Sequence, residues 1–273
     1  MANAANVANA ANVAIEIKNL VKTYGTKNAV DGLSLNINEG ELFALLGVNG
    51  AGKTTTIKML SCLSKPTSGD AVILGNSIIS HPQGVKEILN VSPQETAIAP
   101  NLTVLENVVF MAGVYGIKGS EAKEKATQLI DDLGLSEVIK SKAKTLSGGM
   151  QRRLSIAMAL ITDPKILFLD EPTLGLDVLA RRELWHAIVA LKGKVTVILT
   201  THYMEEAEEL SDRIGIMARG KLLAVGTAAE LIARASGKNF EDAFVKIATG
   251  TESLGSGLNE AQANANATSE KEM

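Results

Sequence analysis

An α/β fold built on a largely parallel sheet is the class this sequence predicts, and two observations predict it. Apolar runs of strand length alternate with helical patterns through the second half of the chain. One such run also opens directly into a glycine-rich turn followed by a helix. The run 42–46 (Leu-Phe-Ala-Leu-Leu) is apolar throughout, as a strand covered on both faces must be. Runs 166–169 and 195–199 have the same character, and a helical pattern lies between them.

The elements follow in order. Residues 13–20 alternate as a strand, and 33–37 (Leu-Ser-Leu-Asn-Ile) alternate more cleanly. After the 42–46 strand come the glycine-rich turn and a helix with Ile57 and Leu60. Pro66, Thr67, Ser68, Gly69 and Asp70 make a turn into a short strand at 71–74. Ala122, Ala126, Leu129, Ile130 and Leu133 fall on one helical stripe. Ser147 is placed to cap a helix carrying Leu154, Ala157, Met158 and Ile161, which Asp163-Pro164 ends. The strand 166–169 follows, then a helix with Leu184, Ala187, Ile188 and Leu191, the strand 195–199, and a further apolar run at 222–225. The helical middle reads as an insertion into the sheet.

Composition narrows the function classes. The 273 residues carry 27 Lys+Arg against 30 Asp+Glu, a net charge of −3, which argues against a dedicated nucleic-acid binder. Aromatics are 3%, so Ile, Leu, Val and Ala must fill the core. Cys62 is the one cysteine, which excludes an intrachain disulfide and fits a reducing compartment. No apolar stretch approaches the roughly 20 residues of a spanning helix, and no signal peptide is expected at the N-terminus. Residues 1–13 hold the hexapeptide ANAANV twice and read as a low-complexity extension; 250–273 reads as a disordered tail. The dense region between them, 14–249, is the expected single domain, with a helical subdomain at about 95–163.

Residues 47–54 (Gly-Val-Asn-Gly-Ala-Gly-Lys-Thr) match the phosphate-binding loop G-x-x-x-x-G-K-[ST], with a buried strand before and a helix after. The glycines let backbone N–H groups turn inward, and the helix N-terminus adds its positive end. Lys53 would reach the β- and γ-phosphates, and the Thr54 hydroxyl would ligate Mg²⁺. Downstream, the apolar strand 166–169 ends in Asp170 and Glu171. Strand alternation would send the two carboxylates to opposite sides, Asp170 to the Mg²⁺ shell and Glu171 to an attacking water. A third motif, Leu146-Ser147-Gly148-Gly149-Met150-Gln151, opens a helix with a serine and two glycines, so that hydroxyl and N–H groups face outward at its positive end, which makes a second γ-phosphate site.

With this LSGG-x-Q motif close before the acidic strand, the sequence resembles the ATP-binding cassette ATPases of membrane transporters over about residues 14–235. The resemblance implies a P-loop fold of that type: a parallel sheet core, an antiparallel β subdomain and an inserted helical subdomain. It implies ATP and Mg²⁺ as ligands. Gly47, Asn49, Gly50, Ala51, Gly52, Lys53, Thr54 and Thr55 would cradle the phosphates. Tyr24 would lie against adenine, and Gln94 would touch Mg²⁺ and the attacking water. Ser147, Gly148, Gly149, Gln151 and Asp177 would meet nucleotide across a dimer of cassettes, and His202 would contact the γ-phosphate. Thr54, Gln94 and Asp170 form the implied metal set; Glu171, His202, Gln94 and Lys53 form the implied catalytic set.

Val48 and Val178 stand where the family often has proline, and neither position uses its side chain on phosphate. His81 and His186 match nothing and read as surface or structural, Trp185 as packing, and Cys62 as a small core residue. The wording of 101–107 and 200–207 is most similar to the efflux branch serving drug, polysaccharide or sodium export. The implied function is an ATP-hydrolysing subunit that powers export through a separate membrane-spanning permease. It would work as a dimer with a second cassette, peripheral on the cytoplasmic face of the membrane, without nucleic acid. An import subunit is the alternative; it is disfavoured by the expectation that only a polar tail follows Ala235. A soluble relative acting in DNA repair would need a coiled-coil insertion that is not present, and one acting in translation would usually hold two cassettes. A non-catalytic regulator would not need Lys53, Asp170 and Glu171 together. Within 94–115, Ile98 and Leu102 are expected to line a groove for a short helix of the permease.

Overall fold

A computed structural model describes residues 13–250, so the N-terminal repeat short of its last residue, Val13, and residues 251–273 lie outside the described residues. Strands β1 (Val13–Tyr24) and β2 (Lys27–Asn38) form an antiparallel hairpin about Gly25. The alternation fades after Leu20, yet backbone pairing continues to Tyr24↔Lys27 through several register shifts. Strand β3 (Leu42–Leu46) and helix α1 (Lys53–Leu60) follow. Strands β4 (Ser68–Ile73) and β5 (Asn76–Ser77) return to the hairpin and complete a four-stranded sheet of order β2-β1-β4-β5.

Helix α2 (Pro82–Ile88) leads into β6 (Leu89–Ser92). The helical insertion then supplies α3 (Val104–Val114), α4 (Gly119–Asp132) and α5 (Gly148–Leu160). Thr103 starts α3 with a capping box, its hydroxyl accepting from Glu106 N–H while the Glu106 carboxylate accepts from Thr103 N–H. Strand β7 (Ile166–Asp170), helix α6 (Val178–Val189), strand β8 (Thr196–Thr201), helix α7 (Met204–Leu210) and strands β9 (Arg213–Ala218) and β10 (Lys221–Gly226) follow. The second sheet has six strands in the order β10-β9-β3-β8-β7-β6, all parallel except β10.

Central strands explain the layers by their period of two. Phe43 and Leu45 of β3, Ile166 and Phe168 of β7 and Ile198 of β8 join one core with α1 and the antiparallel sheet. Leu167, Leu169, Val197 and Leu199 face the opposite way, into a core built with α3 to α6. Ala44 and Leu46 share that second face with Ile214 and Ile216 and are covered by the C-terminal helices. Every residue of β3 and β7 is buried, which is why these runs carry no polar alternation.

The expectation of a polar tail after Ala235 does not hold. Helices α8 (Ala228–Arg234) and α9 (Phe240–Thr249) pack on the sheet, with Phe240, Ala243, Phe244 and Ile247 of α9 buried. Residues 240–247 carry that apolar stripe among Glu, Asp and Lys, so composition alone conceals it. His81 and His186 are exposed, the surface alternative of the two expected. Cys62 is half-buried at φ 58°, packed against the first core, and burial pushes its thiol up.

Candidate active site

The phosphate loop hangs between β3 and α1. Gly52 stands just before α1 at φ 109°, and a Cβ there would sit 2.4 Å from the Ala29 carbonyl. A Cβ on Gly47 would sit 2.4 Å from the Met217 carbonyl, so this bend admits only glycine at both places. No side chain caps α1, which leaves its first-turn N–H groups for an anion. The loop borders a cleft of about 570 Å³. Tyr24, Lys27, Ala29, residues 49–55, Gln94, Glu171, Leu174 and His202 line it. Tyr24 is half exposed at its rim, with Lys22 Nζ 5.1 Å from the ring centre.

Six polar side chains meet at the loop. Lys53 Nζ donates to Gly47 O at 2.7 Å and lies 3.4 Å from Glu171 Oε1. Both partners are nearly out of solvent, 4% and 11% exposed, so their charges depend on each other. Glu171 Oε2 lies 3.1 Å from His202 Nδ1. Thr54 Oγ1 donates to Asp170 Oδ1 at 3.1 Å, and Thr200 Oγ1 donates to the same oxygen at 2.5 Å. The expectation that Asp170 and Glu171 face opposite sides fails. Strand β7 ends at Asp170, and Glu171 adopts φ 46°, which breaks the alternation and turns both carboxylates toward the loop. Thr54 and Asp170 present hard oxygen donors side by side, with the Gln94 amide lining the same cleft; that donor set suits Mg²⁺.

The signature segment lies apart from this cleft. Ser147 caps α5, its Oγ accepting from Met150 N–H at 3.3 Å. Ser147 and Gly148 are exposed. Gly149 is buried: a Cβ there would lie 2.9 Å from Ala180 Cβ, so this glycine serves the packing of α5 on α6. Gln151 Nε2 donates to Leu146 O at 3.1 Å. Asp177 caps α6, accepting from Leu179 and Ala180 N–H at 3.0 Å each. Gly148 and Gln151 border a second depression shared with Gln94 and Glu171.

Two buried charged residues escape sequence reasoning. Arg152 on α5 is 4% exposed and donates to the carbonyls of Pro93, Gln94 and Asp170. Burial pushes its guanidinium down to about 10, against the pull of Asp170 and Glu206, so it stays cationic at neutral pH. Glu206 on α7 is fully buried, and Trp185 Nε1 donates to its Oε1 at 3.2 Å. Burial pushes the Glu206 carboxyl up, opposed by the side chains of Thr201, Thr173 and Trp185 and by the Arg181 charge. Trp185 is therefore a hydrogen-bond donor as well as packing. An acid in the run 204–210 gave no sign in the sequence of pointing inward.

Comparison with known proteins agrees with this geometry. A family model described as ABC transporter matches residues 30–174. The chain is 44% identical over 219 residues to the daunorubicin/doxorubicin resistance ATP-binding protein DrrA of Streptomyces peucetius, covering 80% of this chain and 66% of that protein, just under two thirds. It is 40% identical over 248 residues to the linearmycin resistance ATP-binding protein LnrL of Bacillus subtilis, covering 90% of this chain and 76% of that protein. A dimeric ATP-binding cassette solved in a post-hydrolysis state with ADP and Pi superposes with a TM-score of 0.70 at 28% identity, over 78% of this chain and 98% of that one. The phosphate loop, the two acids and the signature helix, in this fold and with these relatives, identify the chain as a member of the ABC transporter family.

Proposed function

We propose that this chain, through its domain at 14–249, is the ATP-hydrolysing subunit of an ABC transporter of the export type. One observation carries the catalytic part: Lys53, Glu171 and His202 form a continuous polar chain beside the Thr54–Asp170 pair, all around one phosphate-sized loop. A γ-phosphate entering between Lys53 and His202 would replace Glu171 as the partner of Lys53. The freed Glu171 carboxylate would then accept a proton from the attacking water. His202 would contact the γ-phosphate from the far side, and Tyr24 would stack on adenine. Thr54 and Asp170, with Gln94, would hold Mg²⁺, which supplies charge neutralisation for the phosphates.

Export is supported by the resistance relatives named above. The polar-tail argument against import lapses, because α8 and α9 follow β10. The transport path of the proposed exporter would be that of a membrane-spanning permease; among the described residues no helix is long and apolar enough to cross a membrane. Ile98 is packed against the helical core and Leu102 is partly buried, which makes both poor docking residues. Leu63 (70% exposed), Phe110 (59%) and Tyr115 (50%) are better ones. Leu63 and Tyr115 border a cleft of about 750 Å³ between α2 and the helical insertion, a fit for a short permease helix. The second half of each ATP site would be Ser147, Gly148, Gly149, Gln151 and Asp177 of a second cassette.

Phosphate release by the purified full chain with ATP and Mg²⁺ tests the catalytic proposal. Turnover that disappears in Glu171→Gln while nucleotide binding persists is the expected result. Wild-type turnover in Glu171→Gln overturns the assignment of Glu171.

A further inference from the structure

We infer that Arg152 is a positioning residue for hydrolysis, which from the signature helix holds the Gln94 loop and the Glu171 turn at one fixed spacing. This rests on the ATPase proposal above. Its guanidinium gathers carbonyls from two separate segments. Nη1 donates to Pro93 O and to Gln94 O (3.1 Å), and Nη2 donates to Asp170 O at 2.7 Å. The Asp170 carbonyl belongs to the peptide that leads into Glu171, where the chain leaves the strand at φ 46°. Gln94 and Glu171 line the same cleft, so one side chain sets the distance between the amide and the base.

Two features separate this from ordinary packing. Among the described residues no carboxylate oxygen lies within ion-pair distance of Arg152; at 4% exposure its hydrogen bonds go to carbonyl oxygens, and Asp170 and Glu206 act on its charge only from farther away. Burying a charge is costly, and an apolar side chain would fill the same space at less cost, so the charge is spent on geometry. The backbone of Arg152 is also fixed. One turn further along α5, Ser155 Oγ lies 3.0 Å from Ser92 Oγ, and one turn beyond that Asn90 Nδ2 donates to Ala159 O at 2.6 Å. These contacts seam α5 onto β6 and deliver the guanidinium to the same place above the Gln94 loop.

The test compares Arg152→Met and Arg152→Lys in the full chain with the wild type. In Arg152→Met, kcat is expected to fall about 30-fold while KM for ATP stays within about threefold, since Tyr24, Lys53 and Thr54 are untouched. Arg152→Lys keeps charge and donors and is expected to recover kcat to within about fivefold of wild type. Amide hydrogen exchange without nucleotide supplies an independent readout. Residues 94–98 are expected to exchange about tenfold faster in Arg152→Met, while residues 53–60 of α1 exchange as in wild type. Unchanged exchange at 94–98 overturns the inference, as does an Arg152→Met enzyme within twofold of wild type, or uniform loosening of loop and α1 alike. If Arg152→Met does not fold, Arg152→Gln takes its place: faster exchange confined to 94–98 with a reduced kcat supports the inference, and exchange at 94–98 equal to wild type overturns it. A wild-type chain without turnover would refute the ATPase proposal, while the exchange comparison still tests Arg152.

Discussion

The two halves of the nucleotide machinery use their polar side chains in opposite ways. Around the phosphate loop, side chains meet side chains: Lys53 with Glu171, Glu171 with His202, Thr54 and Thr200 with Asp170. Along the signature face, side chains serve their own backbone. Ser147 and Asp177 cap helices, and Gln151 reaches back to Leu146 O. The first half is a prebuilt charge site, largely out of solvent. The second is a surface of helix starts, exposed at Ser147 and Gly148, which offers N–H groups to something arriving from outside. Substitutions in the first half should therefore strike binding or chemistry within one chain, and substitutions in the second should strike only assembly and turnover.

The largest expected effect is that of Lys53→Ala. It removes the cation proposed to face phosphate and leaves a nearly buried Glu171 without its counter-charge. ATP affinity should fall at least about 100-fold in a nucleotide-binding titration. Glu171→Gln follows, with turnover reduced by about 10²–10⁴-fold and affinity intact. Ser147→Ala sharpens the comparison: it should cost about 1 kcal/mol of stability through the lost cap, read by urea unfolding. It should also slow turnover without changing the affinity of the single chain for ATP. A changed affinity would break the division between the halves.

Smaller effects lie at the margins of both halves. Tyr24→Ala should weaken nucleotide binding by about 1 kcal/mol, roughly fivefold, and Tyr24→Phe should leave it unchanged. Glu206 gives a pH signature. Burial raises its carboxyl pKa, so the folded chain holds that proton more tightly than the unfolded chain. Its contribution to stability therefore falls as pH rises above the ordinary carboxylate range. Glu206→Gln should gain in melting temperature relative to wild type between about pH 5 and pH 8, and a difference independent of pH would contradict the buried acid.

The fold was legible in the sequence wherever burial was complete or backbone chemistry was special. The 42–46 run became β3 with the same bounds, and the phosphate loop announced itself through glycines that sterics demand. The short apolar runs of β9 and α9 and the helix α2 were missed, because six to ten residues give too few periods to separate strand from helix. Within the site, residue types and spacing were legible, which was enough to single out Lys53, Thr54, Asp170 and Glu171. The left-handed turn at Glu171, the inward face of Gly149 and the carbonyls gathered by Arg152 depend on contacts between distant segments, which no local pattern encodes.

The central claim is that the two halves belong to different chains when ATP is bound. Sedimentation velocity of Glu171→Gln, with and without saturating ATP, tests it most directly. The expected result is a single species at the 28.7 kDa of the chain without ATP and a species of twice that mass with it, the shift being lost when Ser147→Arg is added to Glu171→Gln. A chain that binds ATP and still sediments as a monomer would contradict the claim.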